Sequence, residues 1–252
     1  MAEFIKHDID PSNRFILSLC DYSGRWSQPY RDAGYNVIQI DLKRGNDVRL
    51  LEKLEYRVTD AGDIPELKVN DLLTDDEYKQ LKAEGCFARD SKQTYVGAKA
   101  KRDATIHGIL AAPPCTEFSA AGARWWKDKD PALLTEALAL VDACLRAVMI
   151  YQPQWWVLEN PVGRVQRWIG KKAYTFQPHE FAGWLPEEEQ YDEQYTKETW
   201  LWGQFEEPKT KDLPPVQGSK MWAKYGGKSE RTKELRSHTP RGFALAFFNA
   251  NK

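Results

Sequence analysis

Two residues with complementary chemistry follow apolar segments of strand length. Cys115 comes after the run 106–112 and two prolines, and Glu159 follows the run 155–158. The carboxyl ends of neighbouring parallel strands meet at one edge of a sheet, which is where ligands bind in such folds. A thiolate and a carboxylic acid placed there can attack and protonate the same heterocycle. The pair therefore predicts an enzyme that alkylates a pyrimidine through a covalent adduct.

Carbon 5 of cytosine is too weak a nucleophile to accept an alkyl group from a sulfonium without activation. A thiolate that adds to carbon 6 converts the ring into an enamine and places electron density on carbon 5. An acid that protonates the ring nitrogen N3 makes this addition easier. Cys115 and Glu159 fit these two roles, after which a base would remove the carbon-5 proton and elimination would release the thiol.

Size and composition predict one globular α/β domain. The chain has 252 residues, 42% of them hydrophobic and 29% charged, with a net charge of −1. Such a charge gives no global basic field that would indicate nucleic acid. No apolar run has the roughly 20 residues that cross a bilayer, and the N-terminus lacks a signal-peptide pattern, so we expect a cytoplasmic protein. The four cysteines form no CxxC pair, so we expect neither a metal site nor disulfides.

The elements that would position the two residues begin with a strand at 14–20, a turn, and a short helix at 25–33. A second strand at 36–40 ends at Asp41. A strand, a tight turn, a helix and a strand followed by an acid are typical of the start of a nucleotide-binding fold. We therefore expect a mostly parallel central sheet with helices on both faces.

Further along the chain, apolar spacing predicts a long helix at 131–150, with Cys144 on its buried face, and a strand at 199–205. The charged stretch 51–103 interrupts the pattern, and we interpret it as an inserted lobe with a helix around 75–84. The chain closes with an apolar helix that starts near 239. All of this is consistent with a single catalytic domain over 1–252.

Two segments carry a resemblance to a known family. Residues 114–122, Pro-Cys-Thr-Glu-Phe-Ser-Ala-Ala-Gly, resemble the Pro-Cys-Gln-x-Phe-Ser-x-x-Gly nucleophile loop of the cytosine carbon-5 DNA methyltransferases. Residues 152–161 are similar to the strand of that family that ends in Glu-Asn-Val, and a long helix separates the two segments in both cases. The resemblance implies a Rossmann-like S-adenosylmethionine-dependent methyltransferase fold, with S-adenosylmethionine or a modified analogue as the cofactor.

The resemblance also assigns residues to the cofactor. The turn after the first strand would bind S-adenosylmethionine, Asp41 would hold the ribose hydroxyls, and Asp47 would lie near the adenine amine. The complete set of cofactor residues that it implies is Asp21, Tyr22, Ser23, Gly24, Trp26, Asp41, Asp47 and Pro113.

This chain departs from the family pattern at several positions. Its cofactor turn keeps one glycine, Thr116 replaces the glutamine of the nucleophile loop, and Pro161 replaces the valine after Glu-Asn. The family's Gln-x-Arg-x-Arg segment has no clear copy. Lys197 and Thr199 are the nearest candidates for binding the base oxygen, and we place Lys197 with Cys115 and Glu159 in the catalytic set.

The largest departure is the size of the target-recognition region. Only a short remnant, 204–227, occupies its place, and a loop of that length cannot present the side chains that major-groove recognition needs. We therefore expect low or unusual sequence specificity, as in the small family members that phages encode, which work in the host cytoplasm. The DNA base would be flipped out or single-stranded. The predicted substrate contacts are Pro114, Ser119, Arg124, Trp125, Asn160, Arg164 and Thr199.

Other functions remain open at this point. The same chemistry could act on RNA or on a free cytosine nucleotide, or could transfer a bulkier group from a modified sulfonium. A catalytically inactive nucleic-acid-binding protein is disfavoured because Cys115 and Glu159 are both present. An exocyclic-amine methyltransferase is disfavoured because such enzymes place an aromatic residue where this chain has Cys115.

Overall fold

The computed structural model describes residues 14–45, 47–50, 55–56, 65–66, 105–220 and 229–252. The strands are β1 (Arg14–Leu19), β2 (Asn36–Ile40), β3 (Glu55–Tyr56), β4 (Pro65–Glu66), β5 (Thr105–Ala111), β6 (Trp155–Pro161), β7 (Tyr174–Phe176) and β8 (Thr199–Gln204). The α-helices are α1 (Gln28–Asp32), α2 (Pro131–Tyr151), α3 (Gln166–Ile169), α4 (Glu187–Glu193), α5 (Glu230–Ser237) and α6 (Arg241–Ala250). Short 3₁₀ segments cover Leu42–Arg44, Val48–Leu50, Ala120–Asp128 and Pro178–Trp184.

Six strands form one mostly parallel sheet in the order β2-β1-β5-β6-β8-β7. The first four are mutually parallel, whereas β8 runs antiparallel to both of its neighbours. The predicted α/β class with a mostly parallel sheet is therefore confirmed. β3 and β4 pair with each other as a separate antiparallel ladder, and the rest of the predicted 51–103 lobe lies outside the described residues, as does its helix near 75–84.

Helices cover both faces of the sheet, each over its own apolar cluster. On one face, α2 packs residues such as Val141 and Cys144 against Leu17 and Ile109. On the other face, α1 and α6 contribute Tyr30, Phe243 and Phe247 to a cluster that also contains Trp155. The prediction that Cys144 belongs to the core is confirmed, since 1% of its surface is exposed.

Local sequence accounts for where the longest helix starts and stops. The carboxylate of Asp130 accepts a hydrogen bond from the Ala132 amide (2.9 Å) and caps α2, with Pro131 in the first turn. At the other end, Gln152 takes a left-handed conformation and its amide donates to the Val148 carbonyl. No helix in the described ranges is long and apolar enough to cross a membrane.

Candidate active site

The strand order creates a crevice at the carboxyl edge of the sheet. From β1 the chain moves outward to β2, and it later returns to β5 on the opposite side of β1. Such a reversal between neighbouring parallel strands is where open α/β sheets bind ligands. The turn after β1 and the residues after β5 flank this point, and the Ala112 amide joins them by donating to the Leu19 carbonyl (2.9 Å).

Cys115 lies beyond the end of β5, and Glu159 lies in the adjacent strand β6, just past its pairing with β5. The parallel ladder between these strands ends at the pair Ala111 and Leu158, so Glu159 is the first residue of β6 past the ladder. The strand itself continues to Pro161 because it pairs with β8, which differs from the predicted end at 158. Both site residues are half-buried.

The two side chains influence each other's ionisation. Burial raises the pKa of the Cys115 thiol, and the negative charge of Glu159 raises it further. Burial likewise raises the pKa of the Glu159 carboxyl. Desolvation disfavours the charged form of each group, so burial shifts both the thiol and the carboxyl towards their neutral forms. A raised pKa is the direction of shift that suits an acid at N3 of a pyrimidine.

Positive charges from later in the chain oppose these shifts. Lys197 lowers the pKa of both Cys115 and Glu159, and Arg236 lowers that of Cys115. The Lys197 ammonium donates a hydrogen bond to the Arg236 carbonyl in α5 (3.0 Å). Its backbone amide donates to the Gln177 side chain (2.7 Å), which fixes the segment before β8. The structure thus brings predicted Lys197 to the same place as Cys115 and Glu159.

Asn160 ties the two strand ends together. Its side-chain amide donates to the carbonyl of buried Pro113 (3.0 Å), two residues before Cys115. The residue has no exposed surface, and its Oδ1 has no hydrogen-bond partner among the described residues. Asn160, which we predicted to contact substrate, therefore holds the cysteine and the glutamate at a fixed spacing.

The cysteine loop (residues 113–119) is joined to the glycine loop (residues 162–165) by backbone hydrogen bonds. The Ala120 amide donates to the Val162 carbonyl (2.7 Å), and the Arg164 amide donates to the Phe118 carbonyl (2.9 Å). Between these bonds, Ser119 and Gly163 form an antiparallel bridge. A Cβ atom on Gly163 would lie 2.0 Å from the Phe118 carbonyl oxygen, so this contact requires glycine.

The turn after β1 is organised by its own acid. The buried carboxylate of Asp21 accepts hydrogen bonds from the Ser18 hydroxyl (3.0 Å), the Ser23 hydroxyl (3.1 Å) and the Gly24 amide (2.9 Å). Gly24 has φ +69°, a conformation that favours glycine. Asp21 therefore shapes the predicted cofactor turn from within, and the exposed group on it is the Tyr22 ring, which is 41% accessible.

The two other predicted cofactor acids are positioned differently from each other. Asp41 directly follows β2 at the carboxyl edge, and its side chain accepts a hydrogen bond from the Lys43 amide (2.8 Å). Asp47 is buried, and both of its oxygens accept hydrogen bonds from the Arg49 guanidinium (2.8 and 3.0 Å from Nε). Its ion pair with Arg49 is thus already in place, and contact with an adenine amine stays a prediction.

The structure corrects two of the predicted contacts. Trp26 is wholly buried and packs against Phe243 and Phe247, so it supports the turn from behind and does not face a cofactor. Thr199 is 2% exposed, and its hydroxyl donates to the Lys197 carbonyl (3.0 Å). It fixes the backbone of Lys197 in place of the predicted contact with a base oxygen.

The remaining predicted substrate residues lie along the cysteine loop and the segment after it. Pro114 is exposed, and the Ser119 hydroxyl caps the 3₁₀ segment by accepting from the Ala121 amide (3.3 Å). Arg124 places its guanidinium 4.0 Å from the centre of the exposed Trp125 ring. Arg164 donates through Nε to the Glu117 carbonyl (2.8 Å).

Two cavities open beside the turn after β1 and share Arg25 and Arg241. The larger, about 340 Å³, is also lined by His238, and the smaller, about 250 Å³, by Ser23 and Gly24. Burial and the charge of Arg25 lower the pKa of His238, which also responds to Asp21 and Lys197. His238 therefore lies within electrostatic reach of both the turn and Lys197.

Sequence reasoning missed His238 and the bond between Lys197 and the α5 backbone. These residues lie about forty positions apart in the chain, and α5 has the charged composition of an ordinary solvated helix. Gly163 carried a signal that was available, because a glycine soon after a site-bearing strand is typical of a close backbone approach.

No family model matches the chain, and no curated protein matches its sequence. The resemblance to cytosine methyltransferases therefore depends on the motif residues and on the site in which they meet.

Proposed function

We propose that this protein transfers a methyl group from S-adenosylmethionine to carbon 5 of cytosine in DNA. The observation that carries the proposal is the meeting of Cys115, Glu159 and Lys197 at the carboxyl edge of β5 and β6, where β8 begins. Glu159 and Lys197 both act on the pKa of Cys115, and Lys197 also acts on that of Glu159. A half-buried thiol beside a carboxyl with a raised pKa would supply the nucleophile and the acid that the reaction needs.

In the proposed reaction, the Cys115 thiolate forms a bond to carbon 6 while Glu159 gives its proton to N3. The electron pair of the 5,6 double bond then becomes available at carbon 5. There it would form the new bond to the methyl carbon as the bond from that carbon to the sulfonium sulfur breaks, and the neutral thioether would be the leaving group. A base takes the carbon-5 proton, the bond from the Cys115 sulfur to carbon 6 breaks, the 5,6 double bond forms again, and N3 returns its proton to Glu159. Lys197 would stabilise the thiolate, in keeping with the direction in which it moves the pKa of Cys115.

The residues at the switch point fit the proposed cofactor. S-adenosylmethionine supplies an electrophilic methyl group when it is bound. Asp41 lies at the end of β2, where an acid can bind ribose hydroxyls. The cavities that border Ser23, Gly24 and His238 offer room beside the turn. Together these features support the assignment of a Rossmann-like methyltransferase.

The direct test traps the covalent intermediate. DNA that contains 5-fluorocytosine cannot release a proton from carbon 5, so elimination stops and the protein stays attached. After incubation with S-adenosylmethionine, we expect a denaturant-resistant adduct, with the Cys115 peptide carrying the added mass in a mass spectrum. The adduct mass also reports which group was transferred, which separates methyl transfer from transfer of a bulkier group.

Three variants make the test specific. Cys115→Ser should abolish the adduct, and Glu159→Gln should slow its formation by about 10²–10⁴-fold, the usual contribution of a general acid. Cys144→Ala, which changes a core cysteine away from the edge, should still form it. An adduct that survives Cys115→Ser would disprove the mechanism. Trapping on fluorinated RNA or a free nucleotide, with none on DNA, would change the substrate.

A further inference from the structure

A strip of indole and guanidinium groups lies beside the cysteine loop. We call it the indole strip, and its members are Trp125, Trp126, Trp168, Arg124, Arg164 and Arg167. Trp125 is 43% exposed and Trp168 is 45% exposed, which is unusual for the largest apolar side chain. Guanidinium groups lie over two of the rings, 4.0 Å from the centre of Trp125 and 4.5 Å from that of Trp126.

Direct contacts connect the indole strip to the nucleophile. Trp168 packs its ring on Phe118 (6.1 Å between centres), three residues after Cys115. Arg164 bonds to the cysteine loop twice, through its amide to the Phe118 carbonyl (2.9 Å) and through Nε to the Glu117 carbonyl (2.8 Å). A polymer bound along the strip would therefore pass close to Cys115.

Residues 204–220, the described part of the region that would recognise duplex DNA, are hydrogen-bonded to the body of the protein. In the described part of 204–227, the Leu213 amide donates to the His179 carbonyl (3.0 Å), and the Gly183 amide donates to the Lys211 carbonyl (3.0 Å). Farther along, the Thr196 amide donates to the Gly218 carbonyl (2.8 Å). Recognition in the major groove needs a projecting helix or ribbon. This segment instead lies along residues 179–196.

We propose that the substrate is single-stranded DNA and that the indole strip stacks the bases next to the target cytosine. This inference rests on the function proposed above and names its substrate. Every base presents a π-face, so stacking on Trp125 and Trp168 would bind a strand with little sequence preference. The arginines would neutralise phosphates. A cytosine in a single strand also reaches Cys115 without the cost of unpairing a duplex.

The test measures binding without a cofactor, by fluorescence anisotropy of a labelled oligonucleotide that contains one cytosine. The same sequence is presented as single-stranded DNA, as duplex DNA and as single-stranded RNA. We expect the DNA strand to bind at least about tenfold more tightly than the duplex. Trp125→Ala should weaken binding about 5- to 150-fold, the change that corresponds to roughly 1–3 kcal/mol per stacked base.

Matched variants separate stacking from general effects. Trp125→Phe keeps a π-face and should restore most of the affinity. Trp184→Ala is the control. The Trp184 ring also has a cation 4.0 Å from its centre, the ammonium of Lys211, but it lies outside the indole strip. This variant should bind like the unchanged protein. Arg167→Ala, at an exposed position, should reduce the salt dependence, with the slope of log K against log salt changing by about 0.7 for each phosphate that is no longer neutralised.

Several results would overturn the inference. These are equal or tighter binding of the duplex, tighter binding of the RNA, or an equal loss of affinity in Trp184→Ala and Trp125→Ala. Its failure is distinguishable from failure of the proposed function, because binding needs no reaction. An adduct on a fluorinated nucleotide without strand binding would support the proposed reaction and contradict the single-stranded substrate. Strand binding without any Cys115 adduct would support the indole strip as a binding surface and contradict the proposed reaction.

Discussion

Charges of opposite sign act on the Cys115 thiol. Glu159 and burial raise its pKa, whereas Lys197 and Arg236 lower it. A raised pKa keeps more of the thiol in its unreactive neutral form, whereas the positive groups increase the fraction of reactive thiolate. The balance predicts that single substitutions will move the reactivity of Cys115 in opposite directions.

Alkylation by iodoacetamide across a pH series measures this balance, because only the thiolate reacts. Lys197→Met removes an opposing positive charge, so the pKa of Cys115 should rise and alkylation near neutral pH should slow. Glu159→Gln removes a negative charge, so the pKa should fall and alkylation should quicken. Below the pKa, the thiolate fraction changes about tenfold for each pKa unit.

Peptide mass spectrometry follows Cys115 apart from the other cysteines, and Lys197→Arg serves as the control that keeps the charge. It should react nearly as the unchanged protein does. Faster alkylation in Lys197→Met, or no change in either variant, would show that these groups do not act on the thiol.

Individual residues also show how far sequence reasoning reaches. Cys115 and Glu159 were predictable because each follows an apolar run whose end defines the sheet edge. The environments of Trp26 and Asp47 were not predictable, because they come from distant or unpatterned partners. Phe243 and Phe247 bury the indole of Trp26, and an ion pair with Arg49 occupies the carboxylate of Asp47.

Two loops, not one, hold Cys115 in position. The cysteine loop and the glycine loop approach so closely that a Cβ atom on Gly163 would clash with the backbone of Phe118. Gly122, the glycine that completes the family-like motif, has no left-handed φ, and a Cβ added to it would meet no atom within 4 Å. The structural need for glycine is therefore at Gly163.

Gly163→Ala should separate the two loops and displace Cys115. Overpacking of this kind costs roughly 1–3 kcal/mol of stability, and a misplacement of about 1 Å can cost about 10²-fold in rate. We expect the adduct with 5-fluorocytosine DNA to form far more slowly while the fold persists, as circular dichroism would show. Gly122→Ala is the matched control within the neighbouring 3₁₀ segment and should react normally. Equal rates in the two variants would contradict this role for the loop contact.

Elements with strong periodicity were predicted almost to the residue. The predicted helix 131–150 is observed as Pro131–Tyr151, and the predicted strand 36–40 as Asn36–Ile40. The predicted helix 25–33 contracts to Gln28–Asp32, because the start of that stretch forms the turn centred on Asp21. β7 and the 3₁₀ segment Pro178–Trp184 are short and depend on tertiary pairing, so no local pattern indicated them.

In the molecule as a whole, helix α6 packs behind the turn that follows β1. α6 brings Phe243 and Phe247 onto Trp26, two residues after Gly24. Its first turn is held by the buried carboxylate of Glu193, which accepts from the backbone amides of Arg241 and Gly242. Glu193 thus holds α6, and α6 in turn supports Trp26 and the turn before it. Substitution of Glu193 tests this connection.

Glu193→Ala leaves two amides at the start of α6 without their acceptor. Each such group costs about 1–3 kcal/mol, and a chain of this size loses about 2–4 °C in Tm for each kcal/mol. We therefore expect Tm to fall by roughly 4–24 °C, measured by thermal unfolding. Glu187→Ala, at an exposed site on the same helix α4, should change stability by no more than about 1 kcal/mol. A loosened α6 would no longer hold Phe243 and Phe247 against Trp26, which supports the turn after β1. S-adenosylmethionine should therefore also bind more weakly to Glu193→Ala in calorimetric titration. Cys115 alkylation should stay unchanged, and equal melting of the two variants would show that α6 is held without Glu193.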